Sequence, residues 1–401
     1  MSKRLGFEIV TMNMKTYIEE NQSNMLKLLK RLVNQDSGSN YKEGVDKVGE
    51  ILAQEFERLE FIVKEVPQQI TGNHLVIQHK DAVAPSILLI AHMDTVFGSD
   101  TVSSRPFSIK GDRAYGPGVI DMKGSHVTLI YALKALINNN EADMLKNIVI
   151  VFNSDEEIGS PTSQNLIKKM AFGKKCCLCM EPARSNGALV SFRRGGGGYI
   201  IKVYGKAAHA GIAPQEGANA IAEIAHKIIK LQALNDLARG ISVNVDVIHG
   251  GTAANVIADY VEVNVDIRTS KGEQGAMLEE KIAQICNEVH VPGTRTEMVG
   301  GIKRPPMEKN EGTVLLLERV YAVSNELGIK LKDVSTGGGG DASFTSAIGI
   351  PTIDGLGPVG GNPHSEKEYL EIPSLTERTF LLAELIKSLS LKPLQRNEVY
   401  V

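Results

Sequence analysis

Residues 87–94 read ILLIAHMD, an apolar run that ends in a histidine followed two positions later by an aspartate. The unbroken apolar run predicts a buried β-strand, because both faces of such a strand must be covered. Residues two apart in an extended chain share a face, so Asp94 is predicted to accept a hydrogen bond from one ring nitrogen of His92. The other ring nitrogen of His92 then remains free to bind a metal ion.

Further acidic and imidazole side chains follow apolar runs or lie in Gly/Pro turns. The stretches are GPGVIDMKG with Asp121, FNSDEEIGS with Glu156 and Glu157, CLCMEP with Glu181, and GNPHSEKEY with His364. In α/β proteins, ligands and cofactors collect at the carboxyl ends of the strands. The sequence therefore predicts that these side chains converge on one site.

The composition limits the classes of function. The chain has 401 residues, 42% of them hydrophobic and 23% charged, which is enough for a large core and for two domains. A formal net charge of −3 and the lack of a Lys/Arg-rich run argue against a nucleic-acid partner. The sequence contains no apolar run of membrane-spanning length and no signal-peptide pattern near its start, so we expect a cytoplasmic protein with no membrane partner.

The four cysteines, Cys176, Cys177, Cys179 and Cys286, leave open a metal cluster, disulfides or buried thiols. Three of them lie in a strand-like apolar pattern, where neighbouring side chains point to opposite faces. That arrangement does not suit a Cys-x-x-Cys metal knuckle. Buried structural thiols, which are typical of a reducing compartment, are the preferred interpretation.

The order of the segments predicts an α/β fold with two domains. The first half alternates helical and strand patterns, which is typical of a mainly parallel sheet with helices on both faces. Residues 195–304 instead give strand, helix, strand, strand, helix, strand, the order of a smaller α+β, ferredoxin-like layer. We therefore predict a discontinuous zinc-binding catalytic domain, residues 1–194 and 305–401, interrupted by an inserted domain, residues 195–304. His364 must return to the first domain to join the other ligands.

The candidate ligands suit a catalytic metal centre. Imidazole and carboxylate ligands without cysteine favour zinc or a neighbouring metal at a catalytic site. Two histidines and three carboxylates are too many for one tetrahedral ion with an open position, so two ions fit better. If Asp121 bridges the ions, one of them takes His92 and Glu181. The other ion takes Glu157 and His364, and the three carboxylates offset much of the charge of the cations.

The adjacent glutamates suggest a division of roles. Consecutive residues of an extended segment point to opposite sides, so Glu156 and Glu157 are not expected to bind the same ion in the same way. With Glu157 as the ligand, Glu156 is not expected to bind an ion. A free carboxylate beside a metal ion can act as a general base, taking a proton from the attacking water and returning it to the leaving amine. The pattern therefore predicts metal-assisted amide hydrolysis.

The assembled motifs resemble those of the dinuclear zinc amidohydrolases and peptidases. This family includes glutamate carboxypeptidases of the carboxypeptidase G type, acetylornithine deacetylase and succinyl-diaminopimelate desuccinylase. The motifs run from near Leu32 to the last helix and comprise AHMDTV, GPGVIDMKG, NSDEEIGS, EPARSNGALV, GKAAHAG, GGTAANVIAD and GNPHSEKEYL. The chain is most similar to the glutamate carboxypeptidase branch.

The resemblance implies specific roles for residues of this chain. It implies two Zn²⁺, or alternatively Co²⁺ or Mn²⁺, held by His92, Asp121, Glu157, Glu181 and His364, with Glu156 as base and Asp94 as the carboxylate that orients His92. It also implies a cis bond after Asp121. In the inserted domain it implies a carbonyl contact from His209, a substrate contact from Asn255 and a grip on the substrate carboxylate by Arg304. This inserted domain is expected to act as a lid and to form a homodimer.

We therefore expect a hydrolase that releases a C-terminal amino acid from an N-acyl or peptide-like substrate with a free carboxylate. Glutamate is the expected amino acid, and Arg304 is the reason for preferring a carboxylate beside the scissile bond. The alternatives are a deacylase of N-acetyl or N-succinyl amino acids and a dipeptidase. A non-catalytic, metal-stabilised binding protein and a structural protein with a coincidental ligand set are the alternatives from other classes.

Overall fold

A computed structural model describes residues 13–395. The α-helices are α1 (Met14–Glu20), α2 (Gln22–Val33), α3 (Lys42–Glu57), α4 (Thr101–Ser104), α5 (Gly124–Asn138), α6 (Gln164–Ala171), α7 (Ala220–Gln232), α8 (Gly272–Asn287), α9 (Glu311–Glu326), α10 (Ala342–Ala347) and α11 (Ile372–Leu391). The strands are β1 (Phe61–Val66), β2 (His74–His79), β3 (Ile87–His92), β4 (Ser108–Lys110), β5 (Arg113–Tyr115), β6 (Ile148–Asn153), β7 (Cys176–Cys179), β8 (Leu189–Arg193), β9 (Gly195–Tyr204), β10 (Ser242–Gly250), β11 (Tyr260–Thr269), β12 (Arg295–Arg304), β13 (Asp333–Thr336), β14 (Thr352–Ile353), β15 (Gly360–Gly361) and β16 (Tyr369–Glu371). Short helical turns cover Val119–Lys123, Ala142–Asn147, Glu156–Ile158, Pro214–Glu216 and Leu237–Arg239.

The chain divides into two compact units. Within the described residues, the first unit comprises 13–191, Lys309–Ser335 and 344–395. The second unit comprises Phe192–Glu308 and Thr336–Ser343. The chain therefore passes between the units four times, whereas a single inserted domain requires only two crossings.

The segment 336–343 groups with the second unit, although the sequence analysis placed it in the catalytic domain. Two arginines of the second unit hold this segment. The Arg193 guanidinium donates to the carbonyl oxygens of Gly338 and Gly339 at 3.2 and 2.9 Å. Arg304 pairs with the Asp341 carboxylate at 2.7 Å. These contacts join residues far apart in the sequence, which is why the segment order alone does not indicate them.

The first unit is built on a six-stranded sheet with the order β1-β2-β6-β3-β7-β14. The last four strands of this order run parallel to one another, whereas β2 pairs antiparallel with both β1 and β6. Strands β3, β6 and β7 are buried at every position, as their apolar runs require. The predicted α/β class with a mainly parallel sheet is therefore confirmed. Because β6, β3 and β7 are parallel neighbours, their carboxyl ends lie at one edge of the sheet.

Helix α5 lies at the centre of the first unit. It is buried at every position from Gly124 to Leu133 and packs against α11 and α1. Such a helix is expected to lack charged side chains on every face, and its sequence GSHVTLIYAL has no Asp, Glu, Lys or Arg. Since α5 begins three residues after Asp121, a rigid element supports the turn that carries this carboxylate.

The second unit contains an antiparallel sheet with the order β10-β11-β9-β12. Helices α7 and α8 pack against this sheet, and along the chain the elements follow the order β9-α7-β10-β11-α8-β12. This is the strand and helix order predicted for residues 195–304. Ile201 and Val203 on β9 point to the core with Ile224 and Ile282 of the helices, whereas Ile200 is 41% exposed. The alternation is that of a sheet covered by helices on one face only.

All four cysteines are free and buried, as predicted. Burial raises the pKa of the Cys176 thiol to about 12 and that of Cys286 to about 11. These side chains pack in the cores of their units and hold no metal cluster among themselves within residues 13–395. In the same part of the chain, no helix has the length and hydropathy that a bilayer crossing requires.

Candidate metal centre

Three neighbouring parallel strands deliver polar side chains to one edge of the first unit's sheet. His92 is the last residue of β3, the turn with Glu156 and Glu157 follows β6, and Glu181 follows β7. Asp121 comes from the irregular turn Val119–Lys123 that precedes α5. The peptide bond after Asp121 is cis, as the resemblance implied.

Asp121 lies between the two imidazoles. Its Oδ1 is 3.1 Å from His92 Nε2, and its Oδ2 is 3.2 Å from His364 Nε2. Glu181 Oε1 is 3.7 Å from His92 Nε2, and Glu157 Oε2 is 3.2 Å from His364 Nε2. The side chains therefore form two groups that share Asp121, which is the partition expected from the sequence. Their roles as metal ligands stay a prediction.

The donor atoms fit divalent cations. Atoms of His92, Glu156 and Glu181 lie within 4.8 Å of one another, and so do atoms of His92, Asp121 and Glu157. Glu157 Oε1 is buried and accepts no hydrogen bond from any residue within 13–395. A buried carboxylate oxygen without a hydrogen-bond donor is well suited to accept a cation as its partner. Imidazole nitrogens and carboxylate oxygens without thiolate suit zinc or a neighbouring metal.

The fully buried Asp94 carboxylate fixes the turn with the two glutamates. It accepts the Ser39 hydroxyl at 2.7 Å and the backbone N–H groups of Glu156 and Glu157, each at 3.2 Å. His92 Nδ1 is closer to the Asp94 backbone carbonyl oxygen, at 2.9 Å, than to the Asp94 carboxylate, whose Oδ1 is 3.5 Å away. Strand β3 ends at His92, and the chain then bends so that the Asp94 backbone carbonyl oxygen faces the His92 imidazole ring.

The expectation of an extended segment at the glutamate pair is wrong. Glu156–Ile158 forms a 3-10 turn, because one carboxylate can accept two successive N–H groups only where the chain curls. Successive side chains of a 3-10 turn still diverge by about 120°. Glu157 therefore contacts His364, whereas Glu156 is grouped with His92 and Glu181. This places the predicted base beside the His92 group.

Mutual pairing sets the charges at the site. Burial acts to raise the pKa of Asp121, but hydrogen bonds with His364 and His92 outweigh burial and lower it. Hydrogen bonds with Asp121 and Glu157 raise the pKa of His364 to about 10. Burial raises the pKa of Glu181 well above its usual range, and the negative charge of Asp121 adds to this shift. In the absence of a bound ion, pairing with Asp121 and Glu157 therefore favours the protonated form of the His364 imidazole.

The predicted substrate-contacting residues lie in the second unit. His209 and Asn255 are exposed and lie on paired backbone segments, where the Ala210 N–H donates to the Asn255 carbonyl oxygen at 2.9 Å. His209 Nδ1 accepts the Gly211 N–H at 3.1 Å, so the neutral ring carries its proton on Nε2. Arg304 is the last residue of β12, and Asp341 orients its guanidinium.

Sequence reasoning missed Glu368. Its buried carboxylate accepts the backbone N–H groups of Gly118, Ile120 and Asp121 at 3.1, 2.9 and 3.2 Å. Burial raises the pKa of Glu368 to about 7 against the opposing effect of these bonds. The spacing of four residues from His364 and the Gly/Pro turn GPGVID, whose N–H groups need acceptors, are the signals that point to it.

Comparison with known proteins identifies the class of this fold and site. Residues 88–388 match the Peptidase family M20/M25/M40. Over 375 residues the chain is 30% identical to carboxypeptidase G2 of Pseudomonas sp. (strain RS-16), an alignment that covers 92% of this chain and 90% of that protein. Acetylornithine deacetylase of Buchnera aphidicola is 24% identical over 80% of this chain and 85% of its own length.

Solved structures share the fold. Aminopeptidase PepT from Bacillus cereus superposes with a TM-score of 0.76 at 21% identity and covers 92% of this chain and 99% of its own. A dinuclear metal-binding peptidase of the M20 family from Bacillus subtilis gives a TM-score of 0.67 at 19% identity, with 93% and 99% of the two chains covered.

The fold and the cluster define a hydrolase of the metallopeptidase and amidohydrolase class. The chain belongs to Peptidase family M20/M25/M40, because the family match spans most of its length. The family resemblance found in the sequence is therefore confirmed.

Metal binding is expected to release protons. A pKa of about 10 keeps His364 protonated at pH 7, whereas a metal ligand imidazole must be neutral. Zinc affinity should therefore rise with pH between about 6 and 9, and calorimetry in buffers of different ionisation enthalpy should show net proton release. His364→Ala should lower this release by about one proton, while His249→Ala, at an exposed position of β10, should not change it. Zinc binding without proton release would contradict this assignment.

The same raised pKa predicts the pH dependence of the metal-free protein. The pairing of His364 with carboxylates stabilises the fold fully below its ordinary pKa of 6.5 and is lost as the pH rises through about 10. Chemical denaturation in the presence of a chelator checks this direction.

Proposed function

We propose that this enzyme hydrolyses an amide bond and releases a C-terminal glutamate from an N-acyl or peptide-like substrate. The proposal rests above all on Asp121, whose two oxygens contact the His92 and His364 imidazoles at 3.1 and 3.2 Å. A carboxylate in this position can bridge two cations. Carboxypeptidase G2, at 30% identity, supports the choice of a carboxypeptidase over other hydrolases.

We propose that the cluster holds two Zn²⁺, with Co²⁺ or Mn²⁺ as alternatives. His92 and Glu181 would hold one ion, Glu157 and His364 the other, and Asp121 would contact both. When bound, such ions act as Lewis acids that polarise the scissile carbonyl and make the attacking water more acidic. The partition into two groups around Asp121 supports this assignment.

Glu156 is proposed as the general base. Its backbone is fixed by the Asp94 carboxylate, and its side chain diverges from that of Glu157 within the 3-10 turn. Glu156 would accept a proton from the attacking water at a carboxylate oxygen and then deliver this proton to the leaving nitrogen. Asp94 acts as a positioning residue in this scheme, because it holds the N–H groups of both glutamates.

The second unit is proposed to supply substrate contacts. His209 would donate from Nε2 to the carbonyl oxygen, which is consistent with the Nδ1 bond to the Gly211 N–H. Asn255, on the paired segment, would offer its amide to the substrate. Arg304 would grip the terminal carboxylate with two parallel hydrogen bonds. Asp341 contacts Arg304 at 2.7 Å and would keep the guanidinium plane oriented.

Glu156→Gln tests the base directly. Without a proton acceptor, kcat is expected to fall by at least about 100-fold, while the zinc content stays at the wild-type value. Glu157→Gln is the contrasting variant, since loss of a ligand should lower zinc content as well as activity. Elemental analysis together with steady-state kinetics measures both effects. An active Glu156→Gln enzyme would exclude this residue as the base.

A substrate panel tests the proposed specificity. The value of kcat/KM should be highest for N-acyl-glutamates and lower for N-acetylornithine, N-succinyl amino acids and dipeptides. Arg304→Lys keeps the charge but not the planar fork, so KM for the glutamate substrates should rise by roughly 10-fold or more. Arg295→Lys, an exposed substitution on the same strand, is the matched control. A preference for acetylornithine would favour a deacetylase, and no turnover on any amide would favour a binding protein.

We also propose a homodimer formed through the second unit. Strand β10 lies at an edge of its sheet and exposes Val247 and Ile248, and the neighbouring helix α7 exposes Ile221 and Ile229. An apolar strand edge beside an apolar helix face favours pairing with a second copy.

The second unit is also proposed to act as a lid. For the protein as a whole we propose a reducing compartment such as the cytoplasm, which the buried free thiols support.

Ile229→Lys should convert the dimer to monomers in sedimentation equilibrium, because a charge would be buried in the interface. Ile62→Lys, at a 61% exposed isoleucine on the edge strand β1 of the first unit, is the control and should leave the mass unchanged. If the wild-type protein itself sediments as a monomer, the proposed homodimer is excluded.

A further inference from the structure

Glu368 belongs to the same short segment as His364 and reaches the backbone of the turn that carries Asp121. Its Oε1 accepts the N–H groups of Ile120 and Asp121, and its Oε2 accepts that of Gly118. The residue is fully buried, so these bonds form away from water. Burying a carboxylate is costly unless such donors compensate for it.

The two ends of this segment, His364 and Glu368, contact different parts of Asp121. Glu368 fixes the backbone of Asp121, while His364 contacts its side chain at 3.2 Å. The interactions close a ring that runs from the Asp121 backbone through residues 364–368 and returns to the Asp121 carboxylate. A ring of this kind sets the distance between the Asp121 carboxylate and the His364 imidazole.

The conformation of the segment shows that its surroundings hold it. Asn362 and His364 have positive φ values of 55° and 62°. This backbone conformation is uncommon for residues other than glycine, and neighbouring contacts hold it in place here. Arg105 supplies one contact, since it donates to the Ser365 carbonyl oxygen at 3.0 Å and stacks on an aromatic ring. Glu368 supplies the second contact.

The Asp121 turn is held from its other side as well. Lys123 is buried, and its ammonium donates to the Gln35 carbonyl oxygen at 2.8 Å and, more weakly, to that of Pro117 at 3.4 Å. The backbone of the turn is thus fixed by the Glu368 carboxylate at its N–H groups and by Lys123 at its carbonyl groups. Within residues 13–395, neither side chain forms a hydrogen bond with the imidazoles or the carboxylates of the cluster.

We infer that Glu368 is a positioning residue of the metal centre, which sets the geometry of Asp121 relative to His364 without binding an ion. This inference rests on the proposed function for the role of Asp121. Its chemistry is specific, because a carboxylate accepts at both oxygens whereas a carboxamide accepts at one. Glutamine at this position would keep the shape and oppose its NH₂ group to one of the backbone N–H groups.

The test compares Glu368→Gln and Glu368→Ala with Glu371→Gln. Glu371 lies three residues further along, is 41% exposed and only approaches Arg113 at 3.4 Å, so it is the matched control. Zinc affinity, measured by competition with a chromophoric chelator, is expected to fall by at least about tenfold in Glu368→Gln and further in Glu368→Ala. The control should bind zinc as the wild type does.

Two further readouts separate positioning from general destabilisation. Amide hydrogen exchange of residues 118–121 should accelerate in Glu368→Gln, while exchange in the strands β3 and β6 stays at the wild-type rate. The visible absorption spectrum of the Co²⁺-loaded variant should change, because the ligand geometry changes. In kinetics, kcat should fall with little change in KM.

Wild-type zinc affinity together with an unchanged Co²⁺ spectrum in Glu368→Gln would overturn the inference. If the wild-type protein binds no divalent ion, the proposed function fails, and the exchange measurement alone decides whether Glu368 holds the turn. Faster exchange at residues 118–121 then supports that role, and unchanged exchange refutes it.

Discussion

Concentrated negative charge at one sheet edge is the constraint on which the first unit depends. The side chains of Asp121, Glu157 and Glu181 are 13%, 6% and 12% exposed, so water screens their mutual repulsion poorly. Positive groups must therefore lie among them or an acid must take up a proton, and the raised pKa of Glu181 reflects the second of these. The two imidazoles supply part of this charge, and bound cations would supply the rest. Folding of the sheet edge and binding of metal are for this reason linked equilibria.

Backbone N–H groups extend the same compensation to carboxylates further from the cluster. Asp94 and Glu368 are both buried, and each accepts at least two N–H groups from a turn that carries a cluster residue. In both cases an acidic side chain replaces the regular backbone partners that a turn lacks. Asp94 and Glu368 therefore help to position the cluster, although neither of them contacts the imidazole of His364.

The sequence predicted those parts of the site that depend on local patterns. Apolar runs that end in polar residues placed His92 and Glu181 at the ends of parallel strands, because burial of a strand leaves only its ends for polar side chains. The alternation of helices and strands predicted the class of fold and the change of architecture near residue 195. The turn at Glu156 and Glu157 was not predicted, since its curl depends on a carboxylate 62 and 63 residues earlier.

Contacts between distant residues account for the rest of what was missed. Glu368 is 250 residues from Gly118, and Arg304 is 37 residues from Asp341. From sequence alone, a charged residue in a loop is expected to be exposed to solvent. Only the tertiary fold shows that it is buried and which partner compensates its charge. The assignment of residues 336–343 to the second unit has the same origin, since two arginines distant in sequence hold the glycine-rich loop.

The state of the cysteines has a practical consequence for studying this protein in solution. Thiol-directed reagents attack the thiolate, and the native thiols are buried, with the pKa of Cys176 raised to about 12. A maleimide dye should therefore not react with these thiols under native conditions. One cysteine engineered at an exposed position would accept such a dye selectively, so a single-site label could be introduced without first replacing the native cysteines.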